Sequence, residues 1–188
     1  MKNRSLLFVS ILILITLCAS MTKSTENIMN TKELRTMEYV DIHSYIGTWY
    51  EIAKIPNRFQ RKCSRNTTAT YLLRKDGKID VINRCVTASG DTIKAKGTAK
   101  IVDAKSNAKL KVSFVRLFGI SLFWGDYWII GLDKDYSYAI VGTPGRKYGW
   151  ILSRNPQITP DTLSQIYSIL RDQGYNPGDF EMTPQNWQ

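Results

Sequence analysis

Between Lys109 and Phe114 the chain alternates without a break, with Lys109, Lys111 and Ser113 on one side and Leu110, Val112 and Phe114 on the other. A period of two is that of an extended strand with one wet and one apolar face, so residues 109–116 are predicted to form a strand. Similar runs bounded by turn residues recur at 48–55, 65–74, 78–87, 92–102, 126–133, 137–143 and 147–154. The best-marked pair flanks Lys75-Asp76-Gly77, where Asp-Gly is a hairpin turn signal. Further breaks fall at Ser89-Gly90-Asp91, Ala104 to Ala108, Asp133 to Asp135 and Thr143-Pro144-Gly145. The period then changes. Thr159-Pro160 reads as an N-cap with proline at the first helical position, Leu163, Ile166, Tyr167 and Leu170 follow at helical spacing, and Gly174 is a stop.

Eight antiparallel strands joined in order close into an up-and-down barrel, which leaves no edge and encloses room for one small ligand. The predicted fold class is therefore all-β, an eight-stranded antiparallel up-and-down barrel with one C-terminal α-helix packed outside it. Alternation places Ala53, Tyr71, Val81, Val112, Phe114, Tyr127, Ile129, Tyr148, Trp150 and Leu152 toward the lumen, with Asn83 as the polar member. Any one of these is accounted for as an ordinary core residue. As a set in a barrel of this strand number, they are expected to line a ligand cavity.

The first residues change the picture of where the protein works. Lys2 and Arg4 precede the apolar run Leu6 to Leu17, which ends at the small pair Ala19-Ser20. That is the pattern of a secretory signal, and it is too short to span a bilayer comfortably. The expected organisation is a signal peptide over 1–20, a tether or arm over 21–40, and one domain over 41–186. Ile15-Thr16-Leu17-Cys18 also resembles the lipobox of bacterial lipoproteins, in which the cysteine becomes the acylated first residue; Leu17 stands where that pattern has a small residue. Lipidation of Cys18 and ordinary cleavage after Ala19 or Ser20 both remain open. Cys63 and Cys85 form an even pair in an oxidising compartment, for which a disulfide is the default. Net charge is +10, of which Lys2 and Arg4 contribute two, so an anionic partner is expected.

Three segments together carry a resemblance to a known family. Gly47 to Pro56 (GTWYEIAKIP), Gly131 to Gly142 (GLDKDYSYAIVG) and Trp150 to Arg154 (WILSR) resemble, in order and spacing, the three signatures of the lipocalins. The likeness spans about residues 40 to 186 and looks closest to the bacterial outer-membrane and apolipoprotein D-like members. It implies that Trp49 closes the barrel floor with Arg154 against its ring, and that Gly47, Trp49, Asp135, Tyr136 and Arg154 are structural. It also implies that the first strand starts at the floor, which makes 55–65, 87–92, 116–126 and 143–147 the mouth loops.

Arg58, Arg61 and Lys62 in the first mouth loop and Arg146 in the fourth are then candidates to meet a headgroup. The third mouth loop holds Leu117, Phe118, Ile120, Leu122, Phe123 and Trp124, either as a lid on the cavity or as a surface that touches lipid. The expected function is binding, storage or transport of an amphipathic lipid, a fatty acid or lysophospholipid, with no catalytic residue, cofactor or metal. Membrane contact is expected through a lipidated Cys18 or the 116–126 loop. The resemblance implies a role in envelope lipid maintenance, in the bacterial periplasm or outer membrane, lipid-anchored if Cys18 is acylated and otherwise secreted. Two alternatives stand beside it: an isomerase-type lipocalin using Cys85, and a pigment or haem carrier. A histidine triad or His-rich metal site does not fit a chain whose one histidine, His43, precedes the first strand. Export without a recognition motif argues against nucleic acid. Asn66-Thr67-Thr68 is a glycosylation sequon, relevant only in a eukaryotic host. The pattern specifies no oligomeric state.

Overall fold

The computed structural model describes residues 33–118 and 120–186. The signal segment, Cys18 and residues 21–32 lie outside the described residues. A single turn of helix, α1 (Ile42–Tyr45), leads into β1 (Gly47–Lys54), β2 (Arg65–Leu73), β3 (Ile79–Val86), β4 (Thr92–Ile101) and β5 (Lys109–Ser113). A small hairpin, β6 (Val115–Leu117) and β7 (Ile120–Leu122), precedes β8 (Gly125–Leu132), β9 (Tyr138–Gly142), β10 (Gly149–Ser153), α2 (Pro160–Asp172) and β11 (Glu181–Met182). Strands β1, β2, β3, β4, β5, β8, β9 and β10 pair antiparallel in that order, and β10 returns to β1. The result is a closed eight-stranded barrel, with β11 laid along the end of β1 and α2 outside.

Alternation divides the wall into two apolar layers. Trp49, Tyr71, Val81, Leu110, Ile129, Val141 and Leu152 pack together inside. Ile52, Ile130, Ile140 and Ile151 face outward and are covered by Ile166 and Leu170 of α2. The helix begins where the sequence expects it: Thr159 Oγ1 accepts from the Thr162 N–H at 3.2 Å, and Pro160 occupies the first turn. It stops at Gly174, whose φ of +77° lets the Tyr175 N–H return to the Leu170 carbonyl at 2.9 Å.

The structure departs from the sequence expectation in three places. The predicted strand 109–116 ends at Ser113, whose hydroxyl donates to the Leu122 carbonyl and turns the chain into the β6–β7 hairpin. The arm does not run to residue 40: Leu34 and Val40 are buried, and Met37 and Val40 donate backbone hydrogen bonds to Ile129 and Ser106. Finally, register shifts in β1 between Glu51 and Ala53 and in β8 between Ile129 and Gly131 break strict alternation. At each shift two successive residues, Ile52-Ala53 and Ile130-Gly131, face the outer layer.

Leu170 has no exposed surface and sits under the barrel's outer isoleucines. Leu170→Ala should lower the unfolding free energy by about 2–5 kcal/mol through lost burial and the cavity left behind. Urea denaturation followed by circular dichroism reads the shift directly, and an unchanged midpoint would contradict this packing.

Candidate functional site in the barrel lumen

The floor is built from Trp49 and Arg154. Gly47 adopts φ +100°, and a Cβ there would lie 3.3 Å from Arg154 Nη1. Glycine thus meets both the backbone and the space requirement. Trp49 is fully buried and its Nε1–H donates to the Tyr45 carbonyl at 2.8 Å. The Arg154 guanidinium carbon sits 3.8 Å from the indole centroid. Its nitrogens donate to the carbonyls of Thr48 (2.9 Å), Ser44 (2.8 Å) and Ile46 (2.9 Å). Burial holds the Arg154 pKa below its ordinary value. Tyr136, at φ +58°, accepts the Asp41 N–H on its hydroxyl at 2.9 Å. Asp135, expected as a structural residue, is instead exposed beside Lys134. The turn is organised by Asp133, which accepts from the Ser137 hydroxyl (2.8 Å) and from the N–H groups of Asp135 and Ser137.

Above the floor, Tyr71, Val81, Val112, Tyr127, Ile129, Trp150 and Leu152 belong to the inner layer, where alternation places them. Tyr127 sits between two other phenols, 2.7 Å from the Tyr45 hydroxyl and 2.9 Å from that of Tyr71. Burial pushes all three pKa values up, that of Tyr71 to about 12. Asn83 lies between Val81 and Cys85 on the inward register of β3, and its Oδ1 is buried without a hydrogen-bond partner. Phe114 follows β5 with its ring against Gly97, where a Cβ would come within 2.8 Å of Cδ1. Ala53 is the exception. It pairs with Ile151 and packs in the outer layer, because the β1 bulge adds a residue and inverts the alternation after Ile52.

The same bulge turns Lys54 inward, opposite Trp150. There Glu51, 3% exposed, lies 3.4 Å from Lys54 Nζ and accepts from the Thr183 hydroxyl at 2.7 Å and from Gln60 Nε2. Gln60 Oε1 in turn accepts from Trp150 Nε1 at 3.0 Å, so the short 3-10 turn Arg58–Gln60 is drawn toward the lumen. Tyr148 lies between Phe59 and Trp150, with ring centroids 5.7 and 6.2 Å away. Glu51, Lys54 and Gln60 were not expected at the site. Glu51 was legible, because it alternates with Trp49, whereas Lys54 became inward only through the bulge.

Cys63 and Cys85 form a disulfide, with Cα atoms 5.5 Å apart, that pins the first mouth loop to the end of β3. Cys85 is therefore not a free thiol in this state. Arg58, Arg61 and Lys62 are exposed on that loop, Arg58 stacking 5.2 Å from the Phe59 centroid. Arg146, expected at the rim, is committed elsewhere: its Nε donates to the Gln173 carbonyl at 2.7 Å, where α2 ends with unsatisfied carbonyls. The Asn66 amide is similarly occupied, donating to the Asn186 carbonyl and accepting its N–H. Among the described residues no three His, Cys, Asp or Glu side chains come together as a metal site.

Residues 40–185 match the family described as Lipocalin-like domain. The chain belongs to the lipocalins. It is 39% identical over 158 residues to temperature-induced lipocalin-1 of Arabidopsis thaliana, covering 82% of this chain and 84% of that one. It is 40% identical over 141 residues to the outer membrane lipoprotein Blc of Escherichia coli strain K12, covering 74% and 76%. Insecticyanin of the tobacco hornworm Manduca sexta shares the fold, with a TM-score of 0.67 at 21% identity over 82% of this lipocalin and 86% of that chain. The relatives and the three sequence signatures thus agree on family and architecture.

The phenol cluster makes the lipocalin sensitive to alkali. Tyr71 ionises near 12 when folded but near 10 when unfolded, so above about pH 10 the unfolded chain has lost more protons and stability falls as pH rises. Tyr71→Phe should lose less stability than the wild type between about pH 10 and 12, as measured by denaturation at fixed pH values. An equal loss would mean that the Tyr71 hydroxyl is not held neutral by the fold.

Proposed function

We propose that this lipocalin is exported and binds, stores or transports an amphipathic lipid, a fatty acid or lysophospholipid, in its lumen without covalent chemistry. The observation that carries the reading is the continuous inner layer of Val81, Val112, Ile129, Val141 and Leu152, beneath a mouth loop bearing exposed Arg58, Arg61 and Lys62. An acyl chain buried against such a wall gains about 0.8 kcal/mol per CH₂ before the cost of immobilisation. A cationic rim orients the anionic end outward. Because the disulfide occupies Cys85, the carrier reading is favoured over a thiol-dependent isomerase.

The name of the E. coli relative, an outer membrane lipoprotein, supports export and a place in the bacterial periplasm or outer membrane. On this reading Cys18 is the anchor where it is acylated, the protein being otherwise secreted, and lipid exchange serves envelope maintenance. The β6–β7 hairpin is the second membrane contact, with Phe118 94% and Phe123 82% exposed and Leu117 and Ile120 beside them. Such a concentration of bare apolar side chains is characteristic of a contact surface, and the exposed Lys94 and Lys96 of β4 suit anionic headgroups.

Phe114→Arg places a charge on the inner side of the wall at a partly exposed position, where the fold tolerates it. The variant should lose affinity for a fluorescent fatty acid by about tenfold or more while keeping its far-ultraviolet circular dichroism. Equal affinity in the two proteins would overturn lumenal binding of the acyl chain.

A further inference from the structure

A purely hydrocarbon chain leaves one part of the inner wall without a role. Among the described residues two buried side-chain polar atoms have no hydrogen-bond partner, Asn83 Oδ1 and Thr67 Oγ1. They lie on adjacent strands: Asn83 pairs with Ala69 across β2–β3, and Thr67 lies within the register shift of β2 between Arg65 and Thr68. The other register neighbour of Asn83 is Ala95 on β4, so small side chains flank the amide on both sides. Ala95 is exposed, although it shares its face with the inner residue Ala99. The lumen is therefore open beside Ala95, and the Asn83 side chain is partly exposed to it.

Buried polar groups nearly always find partners, and the remainder of this lumen follows that rule. The three phenols satisfy one another, and Glu51 is met by Thr183, Gln60 and Lys54. Asn83 breaks it on the inner wall. An amide offers a donor and an acceptor in either orientation. Asn83 lies two residues along β3 from Cys85, about 7 Å inward of the disulfide-pinned rim.

We propose that the Asn83 amide recognises a hydroxyl group set part-way along an acyl chain, so that the preferred ligand is a hydroxylated fatty acyl lipid. This rests on the carrier reading given above and narrows its ligand class. A saturated chain has to leave the amide unpaired, whereas a chain hydroxyl pairs with it. The discrimination arises because a site built to hydrogen-bond a hydroxyl is penalised when the ligand lacks one.

Ricinoleate and oleate differ only in a mid-chain hydroxyl, and their binding to the full folded chain can be compared by calorimetry. The wild type should prefer ricinoleate by about tenfold, the order expected for one buried hydrogen-bonding group left unpaired. Asn83→Leu should abolish that preference. Because Asn83→Leu removes an unpaired buried amide, its thermal midpoint should be unchanged or higher. An asparagine with a merely structural role would instead lose stability. Equal wild-type affinity for the two acids, or a preference that survives Asn83→Leu, would overturn the proposal. If neither acid binds the wild type, the carrier reading fails, and this inference with it.

Discussion

The barrel depends on one guanidinium. Arg154 stacks on Trp49 and binds the carbonyls that end α1 and begin β1. It therefore ties the end of β10 to the contiguous stretch Ser44–Trp49, far earlier in the chain, and supplies a partner to three backbone carbonyls there. A cation partly withdrawn from water, as Arg154 is, costs free energy unless it is paired or hydrogen-bonded. Here the indole face and the carbonyls together take the place of a carboxylate. The arrangement explains the sequence around it: glycine at 47 because φ is +100° and a Cβ would crowd the guanidinium at 3.3 Å, and tryptophan at 49 because only a large flat ring both seals the floor and faces the cation.

With the floor fixed, two bulges decide what the outside can bind. Each frees a backbone carbonyl and sends two successive residues outward under α2. Both carbonyls are caught by polar groups from the chain's C-terminal part: the Thr183 N–H donates to Ile52 O at 2.8 Å, and Gln173 Nε2 donates to Ile130 O at 3.1 Å. Gln173 also binds the backbone of Arg35 through its oxygen and its nitrogen, which ties the N-terminal segment to the end of α2. The irregular points of the barrel are thus its attachment points. This follows the accounting that buried backbone groups require.

Most of the architecture was legible in the sequence because strand alternation, the Asp-Gly hairpin, and the helix cap at Thr159 are local signals. Lys109 to Ser113 reads the same way in the structure as in the chain. What escaped was set by tertiary contact. Nothing near Ala53 announces that β1 gains a residue there, and the face of every later residue in the strand depends on it. Arg146 looked like a rim cation because its sequence neighbours are a mouth loop, yet the nearest unsatisfied carbonyls belong to the end of a helix formed later in the chain. Asp133 and Asp135 are chemically equivalent in sequence, and only turn geometry determines which carboxylate receives the N–H groups. The β6–β7 hairpin was visible as an apolar segment but not as strands, since three-residue strands have too few positions to show a period.

These attachments are unevenly distributed around the mouth, and that unevenness bears on how a ligand enters. On the β1–β2 side the rim is held by the disulfide, by Gln60 bridging Trp150 and Glu51, and by the Asn66–Asn186 pair. On the opposite side the β6–β7 hairpin forms its own two-stranded sheet, joined to the wall through the Ser113–Leu122 hydrogen bond and the Lys100–Trp124 stack. Beyond the level of Thr98, the register of β4 with β5 ends as well. Regions with few buried apolar contacts open at lower free energy than the core. The side of the mouth that is richest in exposed apolar surface is therefore also the side that yields most easily, so on the proposed carrier reading a ligand would enter by that rim rather than by the one locked by the disulfide.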